Sequence, residues 1–280
     1  MILPAPDASF AWQVTERGPA LVCVPLLAFA PHFFTTRAWW LGGRHASASY
    51  ELDAWEELRH AFPRAPSHLV HARQVHGAAV VVATASATSP ELPTGDIVIS
   101  ADADVAVAIQ VADCVPLLLA DRRTGAVAAV HSGWRGLAAN VPGVALNALR
   151  DHYGTRAEDV MAAAGPSIGA CCYQVGADVY DAMSRVAVSK GSLDRWCLRA
   201  PARLARNPPY EGAPLLSRDD RWFFDGWAAT RDLLIAGGVA SASIYQCGLC
   251  TASHGELFCS YRRDGSPAGR IAGAIRPAGV

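Results

Sequence analysis

Three side chains able to act as nucleophile or metal ligand stand beside turn residues at the edges of apolar runs: His76 in RQVHGAAV, Cys114 in VADCVPLL and His131 in AVHSGW. They lie 38 and then 17 residues apart, a spacing that fits no zinc finger, so only the tertiary fold can bring them together. Two imidazoles and one thiolate around a divalent ion would leave a fourth coordination place open, the arrangement of a catalytic zinc. Such an ion lowers the pKa of bound water toward ~7 and polarises phosphate or carbonyl oxygens. The same residues permit a metal-free reading, with Cys114 as nucleophile and a histidine as its base. They also permit a bland one, in which all three are separate core or turn residues. Copper oxidation has less support: there is no His-x-His pair, and Met1, Met161 and Met183 are remote in sequence from the His and Cys positions.

Other polar groups supply candidate substrate contacts. Arg37 ends HFFTTR and Arg135 follows Trp134; either guanidinium can grip an anion bidentately or sit in a surface ion pair. The stretch AGPSIGACCY, Ala164 to Tyr173, offers backbone that a ligand can approach closely, but it has neither the phosphate-loop lysine nor a dinucleotide pattern. CGLC, Cys247 to Cys250, is one Cys-x-x-Cys pair with no second pair at ribbon spacing. Arg262 and Arg263 in FCSYRRDG are either solvated or set against carboxylates such as Asp264. Asp96 and Asp113 are available as general acids or as turn caps.

The elements that must position these groups follow from periodicity. LVCVPLLAF and HFFTTR read as strands, and ELDAWEELRHAF as a helix with Leu52, Trp55, Leu58 and Phe62 on one face. AAVVVAT, DIVIS, VAVAIQV, VPLLLAD and AVAAVH are short, β-branched or apolar, and bounded by Gly, Pro or Asp, which predicts strands buried on both faces. LAANVPGVALNALRDHYG then carries a helical period through Val141, Val144, Ala145, Ala148 and Leu149 to Gly154. His131 therefore lies where strand gives way to helix, a place where free N–H groups and side chains meet ligands, with Gly133 and Gly136 allowing the turn. DVMAAAG reads as strand, GADVYDAMSRVA and DGWAATRDLLIAGGV as helices, the latter closed by Gly237 and Gly238. FCSYRRDG predicts a strand running into a turn, and Ser189 to Asp220 a long surface excursion.

Composition sets the outer bounds. The 280 residues are 51% hydrophobic and 18% charged with net charge −1, which predicts a globular protein with no electrostatic footprint for nucleic acid or an anionic membrane. The start has no basic segment, and Pro25 and Pro31 break the apolar stretch from Ala20 to Phe34, so the expected location is cytoplasmic. Eight cysteines in a chain able to build a core without staples are expected to be buried thiols. No repeat or linker divides the chain, so one domain over residues 1–280 is expected.

The segments RQVHG, GDIVISADADVAVAIQVADCVPLLLAD, AVAAVHSGWRG, GPSIGACCYQVGADV and CTASHGELFCSYRRDGSPAGRIAGAI, taken in order from His71 to Ile275, resemble the YfiH/laccase-domain family, also called the multicopper polyphenol oxidase or purine nucleoside phosphorylase family. The resemblance implies an α/β (α+β) fold, a single-domain mixed β-sandwich flanked by helices of the YfiH/CNF1-like kind. It implies a Zn2+ held by His76, Cys114 and His131, with copper less expected, and makes Arg37 a phosphate or substrate contact. The implied activity is phosphorolysis of purine nucleosides (adenosine, inosine, guanosine, methylthioadenosine) with adenosine deamination. Its partners would be a purine nucleoside and phosphate, with no nucleic acid and no membrane; the oligomeric state stays open. Other readings in the family are editing of peptidoglycan precursors by a cysteine or metal hydrolase, and polyphenol oxidation. Toward the N-terminus the usual Asn-Leu-Gly segment and Gly-Asp-Asp turn are replaced by AWWLGGRHASASYELDAW.

Overall fold

A computed structural model describes residues 3–42, 48–86, 91–214 and 219–278, with only the backbone described over 48–53. Two six-stranded mixed sheets form its centre. One runs in the order Phe10–Thr15, Gly18–Cys23, His32–Phe34, Ile271–Ile275, Val105–Val111, His68–Val70. The other runs Ile244–Gln246, Val160–Ala164, Val115–Asp121, Val127–Ser132, Ile97–Ser100, Val80–Val82.

Side-chain alternation explains why the sheets stack. In Val105–Val111 the residues Val105, Val107, Ile109 and Val111 join a shared core with Val98, Leu118, Ala129 and Ala163 of the opposite sheet, as period-two geometry requires. The intervening Ala106 and Ala108, with Ala272 and Ala274, present a shallow outer face on which pack Trp55 and Leu58 of the helix Ala48–His60 and Phe62 of the turn after it, where the helix ends short of the expected Phe62. Leu52, expected on that face, lies outside the described side chains. On the far side Leu117, Leu119, Ala128 and Val130 meet Val141, Ala145, Leu146 and Leu149 of the helix Val141–Tyr153. Burial on both faces is thus the reason these strands read as nearly continuous apolar runs.

Four expectations are corrected. LVCVPLLAF is strand only to Cys23 and then turns into the short helix Val24–Leu27, because Pro25 sits where a first helical turn needs no N–H. HFFTTR is extended through Phe34, and Arg37–Trp39 form a single 3-10 turn. YRRD in FCSYRRDG is a one-turn helix, Tyr261–Asp264, because the Ser260 hydroxyl caps it by accepting from the Arg263 N–H at 3.2 Å. The stretch after Ser189 is not all surface: it holds the helix Lys190–Trp196, whose Trp196 is fully buried, and the strand Cys197–Leu198 of a small third sheet with Trp222–Phe224 and Gln174–Val175.

Candidate metal centre

Strand register delivers the chemistry. Val115 pairs with Ser132 and Pro116 with His131, so Cys114, one residue before its strand, comes level with the end of the strand that carries His131. Ile97 pairs with Val130, which puts Asp96 beside His131, and the His131 N–H donates to the Asp96 carbonyl at 2.8 Å. The parallel pairing of Val80 with Ile97 brings the preceding turn, with His76, to the same edge. One ligand atom from each of His76, Cys114 and His131 then lies within 4.8 Å of the others, and the two imidazoles stand 4.8 Å apart at 71°.

Asp96 organises this edge. Its carboxylate takes His131 Nδ1 at 2.7 Å and accepts from the N–H groups of Val75, His76 and Gly77 at 3.2, 2.9 and 2.8 Å. Burial opposes its charge, yet the hydrogen bonds from His131, Gly77 and Val75 hold it below the ordinary carboxylate range. With Nδ1 occupied, His131 has Nε2 left for a ligand, the carboxylate–histidine arrangement that orients metal-bound imidazoles. The turn it clamps is not relaxed: His76 has φ +62° and Asp113, next to Cys114, has φ +89°, backbone positions that persist only when surrounding contacts enforce them.

The donor set fits a zinc ion: one soft thiolate, two imidazoles, one of them fixed in tautomer, and space for a fourth ligand. In the metal-free chain the same proximity polarises the residues. Burial works against charge on Cys114, but attraction to His131 and hydrogen bonds from His131 and His76 prevail and bring the thiol down to about 6. Burial likewise opposes charge on His131, while the Cys114 and Asp96 charges carry it up to about 9. Cys114 is therefore thiolate above the first value and His131 imidazolium below the second. Alkylation of Cys114 in zinc-stripped protein is expected to reach half its limiting rate near pH 6. A midpoint near the ordinary thiol value, measured by mass spectrometry of the Cys114 peptide, would refute the pairing.

Gly133 has a structural duty that backbone freedom does not explain, since its φ of −76° is open to any residue. A Cβ there would lie 2.9 Å from Cys114 Sγ and 3.1 Å from His76 Cδ2. Gly133→Ala is expected to push the donors apart and weaken zinc binding about 10–100-fold, the range for altered ligand orientation. A competition titration with a chelator reads this; unchanged affinity would remove the steric account.

A small cavity of about 40 Å³ adjoins Cys114, lined by Asp113, Ser132, Trp134, Tyr173 and Phe224 among others. That is room for a water or a small ligand group, well below the roughly 300–1,000 Å³ of a site that encloses a whole small molecule. The Ser132 hydroxyl is buried there without a hydrogen-bond partner, an arrangement that costs free energy unless a ligand or water satisfies it. Tyr173 keeps its phenolic proton, because burial first, and then the Cys114 charge, push its pKa up. Asp113 is also pushed up by burial, although it accepts from Thr251 Oγ1 and the Arg262 N–H, each at 2.6 Å. Asp113 thus ties the loops around the cavity, and Asp96 orients His131.

The other expected residues are distributed unevenly. Arg37 is exposed, its guanidinium donates to the Gly255 carbonyl, and it does not line this cavity. Arg135 lies 4.2 Å over the Trp134 ring and Arg262 lies 4.8 Å over Tyr173, with Nη1 on the Gln174 carbonyl at 2.8 Å. Arg263 is committed to the Thr251 and Phe258 carbonyls and to Asp264. Ser132, Tyr173 and Phe224 were not singled out by sequence. Ser132 was legible as the neighbour of His131, but nothing in Tyr173 or Phe224 marks them before the small sheet folds against the site.

Fold and site together define a class: a two-sheet α/β sandwich with a Cys-His-His centre open at a sheet edge. The chain belongs to the family described as multi-copper polyphenol oxidoreductase laccase, whose model matches residues 52–277. It is 33% identical over 271 residues to a purine nucleoside phosphorylase of Deinococcus radiodurans, covering 92% of this chain and 93% of that one. It is 31% identical over 262 residues to a purine nucleoside phosphorylase of Bacteroides thetaiotaomicron, covering 87% and 90%. Among solved structures, YlmD of Geobacillus stearothermophilus superposes with a TM-score of 0.77 at 26% identity over 95% of this chain and 98% of that one. The hypothetical protein YfiH of Bacillus licheniformis gives 0.78 at 20% identity with the same coverage. Among the described residues no helix is long and apolar enough to cross a membrane.

Proposed function

We propose that the protein is a zinc-dependent purine nucleoside phosphorylase acting on adenosine, inosine, guanosine and methylthioadenosine, with adenosine deamination as a second activity. The observation that carries the reading is the open donor set of His76, Cys114 and His131, whose Cys114 lines a small aromatic cavity holding an unpartnered serine hydroxyl. The names of the relatives support it. In phosphorolysis a phosphate oxygen bonds to ribose C1′ while the C1′–N9 bond breaks, its electron pair leaving with the purine, which takes up a proton. Zinc, when bound, supplies Lewis acidity for an oxygen in the cavity.

The chain's own residues do the rest. Trp134, Tyr173 and Phe224 give apolar surface for a purine ring. Ser132 Oγ and the protonated Tyr173 phenol would serve as donors to phosphate or to the departing base, the groups on which charge develops. Arg262, stacked on Tyr173, supplies the nearby positive charge that Arg37 was expected to bring. The deamination would use the same cavity, with water adding at purine C6 and ammonia leaving.

Zinc-loaded protein incubated with adenosine is expected to release adenine and ribose 1-phosphate only when phosphate is present, and inosine with or without it. Protein with zinc bound at His76, Cys114 and His131 that forms neither product would overturn the assignment. The Cys114 and His131 charge pair favours a metal-free cysteine hydrolase as a second reading. Activity that survives chelation and is abolished by thiol alkylation would select it.

A further inference from the structure

A second cluster lies outside the candidate centre. Cys171 and Cys172, in the turn after Val160–Ala164, meet Cys250, in the loop after Ile244–Gln246, and all three Sγ atoms lie within 4.8 Å of one another. All are buried and none is in a disulfide. CGLC is split, for Cys247 is not part of the group. The Gly169 N–H donates to Cys250 Sγ at 3.3 Å, and Ser253 Oγ lies 3.6 Å from Cys172 Sγ and 3.9 Å from Cys171 Sγ.

We propose that Cys171, Cys172 and Cys250 form a second metal site, which takes one thiophilic d10 cation, Zn2+ or Cu+, through three sulfurs. Three thiolates at about 2.3 Å from a central ion stand roughly 4.0 Å apart, a spacing inside the 4.8 Å within which all three Sγ atoms lie. A disulfide would use two sulfurs and strand the third, whereas a cation employs all three. Among the described residues no imidazole or carboxylate belongs to the group, so selection falls on cations that accept all-sulfur, low-coordinate surroundings, and Mg2+ or Ca2+ are refused. Binding forms three metal–sulfur bonds and breaks three S–H bonds, the protons leaving to solvent, with no change of oxidation state. Cys171 lines two surface clefts, one bordered by Arg206 and the other by Arg203, which give a route in.

The site would stiffen the wall of the candidate centre. The Thr251 N–H donates to the Ser167 carbonyl at 2.9 Å, and Thr251 Oγ1 to Asp113. On the other strand of chain, Cys172 adjoins Tyr173 of the cavity lining. A cation bridging Cys171, Cys172 and Cys250 would staple the two loops together.

The test uses the reduced, metal-stripped full chain with Cys114→Ala, which removes the first site. Titrated under argon with Zn2+ or with Cu+ against a competing chelator, this chain is expected to bind one equivalent and gain thermal stability. Adding Cys171→Ser and Cys250→Ser is expected to abolish that binding, and competition between the two ions identifies the one preferred. A Cys114→Ala chain that binds neither ion, or binding that survives the two serines, overturns the proposal. Because the triple variant can fail to fold, Cd2+ titration of the unsubstituted chain gives a separate readout. Sulfur-to-cadmium absorption is expected to saturate at two equivalents with the intensity of four thiolates; saturation at one equivalent with one thiolate overturns it equally.

Discussion

Cys114→Ala is expected to lower kcat/KM for nucleoside phosphorolysis at least about a thousandfold, equivalent to roughly 4 kcal/mol of transition-state stabilisation, and to abolish zinc binding at His76 and His131. Two imidazoles alone hold zinc poorly, because the thiolate is the donor that supplies both softness and charge. The fold should survive, since Cys114 is only partly buried and lies at a strand end, outside the sheet pairing. The measurement pairs steady-state kinetics with elemental analysis and a melting curve. Wild-type turnover from the variant, without zinc at His76 and His131, would remove that metal from the reaction, and a collapse of the melting transition would make Cys114 structural. Cys114→Ser gives a finer reading: an oxygen donor of the same shape is expected to keep weakened zinc binding and a fraction of the rate.

The second large effect is expected at Asp96, which touches no substrate. Asp96→Asn keeps the shape but replaces one acceptor oxygen by an N–H2 group facing donors from Val75, His76, Gly77 or His131. Leaving buried donors unpaired and losing a charged acceptor is expected to cost about 3 kcal/mol, read as a fall in Tm of roughly 6–10 °C. Zinc affinity should drop about 10–100-fold because His131 loses its orienting partner. The pH dependence gives the sign. The carboxyl is held below its ordinary 3.8, so its contribution is complete above that value and is lost as pH falls through the lower folded-state pKa. The stability gap between wild type and variant should therefore be wide at neutral pH and close in acid. A gap that is constant with pH would mean the carboxylate charge is not what holds the turn.

These two residues mark the boundary between what is legible in sequence and what is not. The apolar runs VAVAIQV, VPLLLAD and AVAAVH announced strands covered on both faces, and they are, whereas the equally apolar AAVVVAT is the half-exposed edge strand Val80–Val82, because residue type marks a strand as apolar but sheet order decides whether it is covered. His76, Cys114 and His131 were recognisable as chemistry-bearing groups at strand edges because a polar side chain ending an apolar run is itself a local signal. CGLC was visible too, but as a pair, because sequence spacing describes neighbours along the chain and Cys250 pairs across it.

By itself the sequence determined which residues could carry chemistry, the helical and strand periods around them, and, through several ordered motifs, the family. Only the tertiary structure decided that Asp96 clamps the turn at His76 and holds His131, that Gly133 is needed for room and not for its φ, and that Ser132 and Tyr173 face the cavity while Arg37 spends its guanidinium on Gly255. The reason is physical. Periodicity encodes which face of an element is buried, whereas the distance between two side chains far apart in the chain is set by strand register and sheet order, which arise from the packing of the whole core.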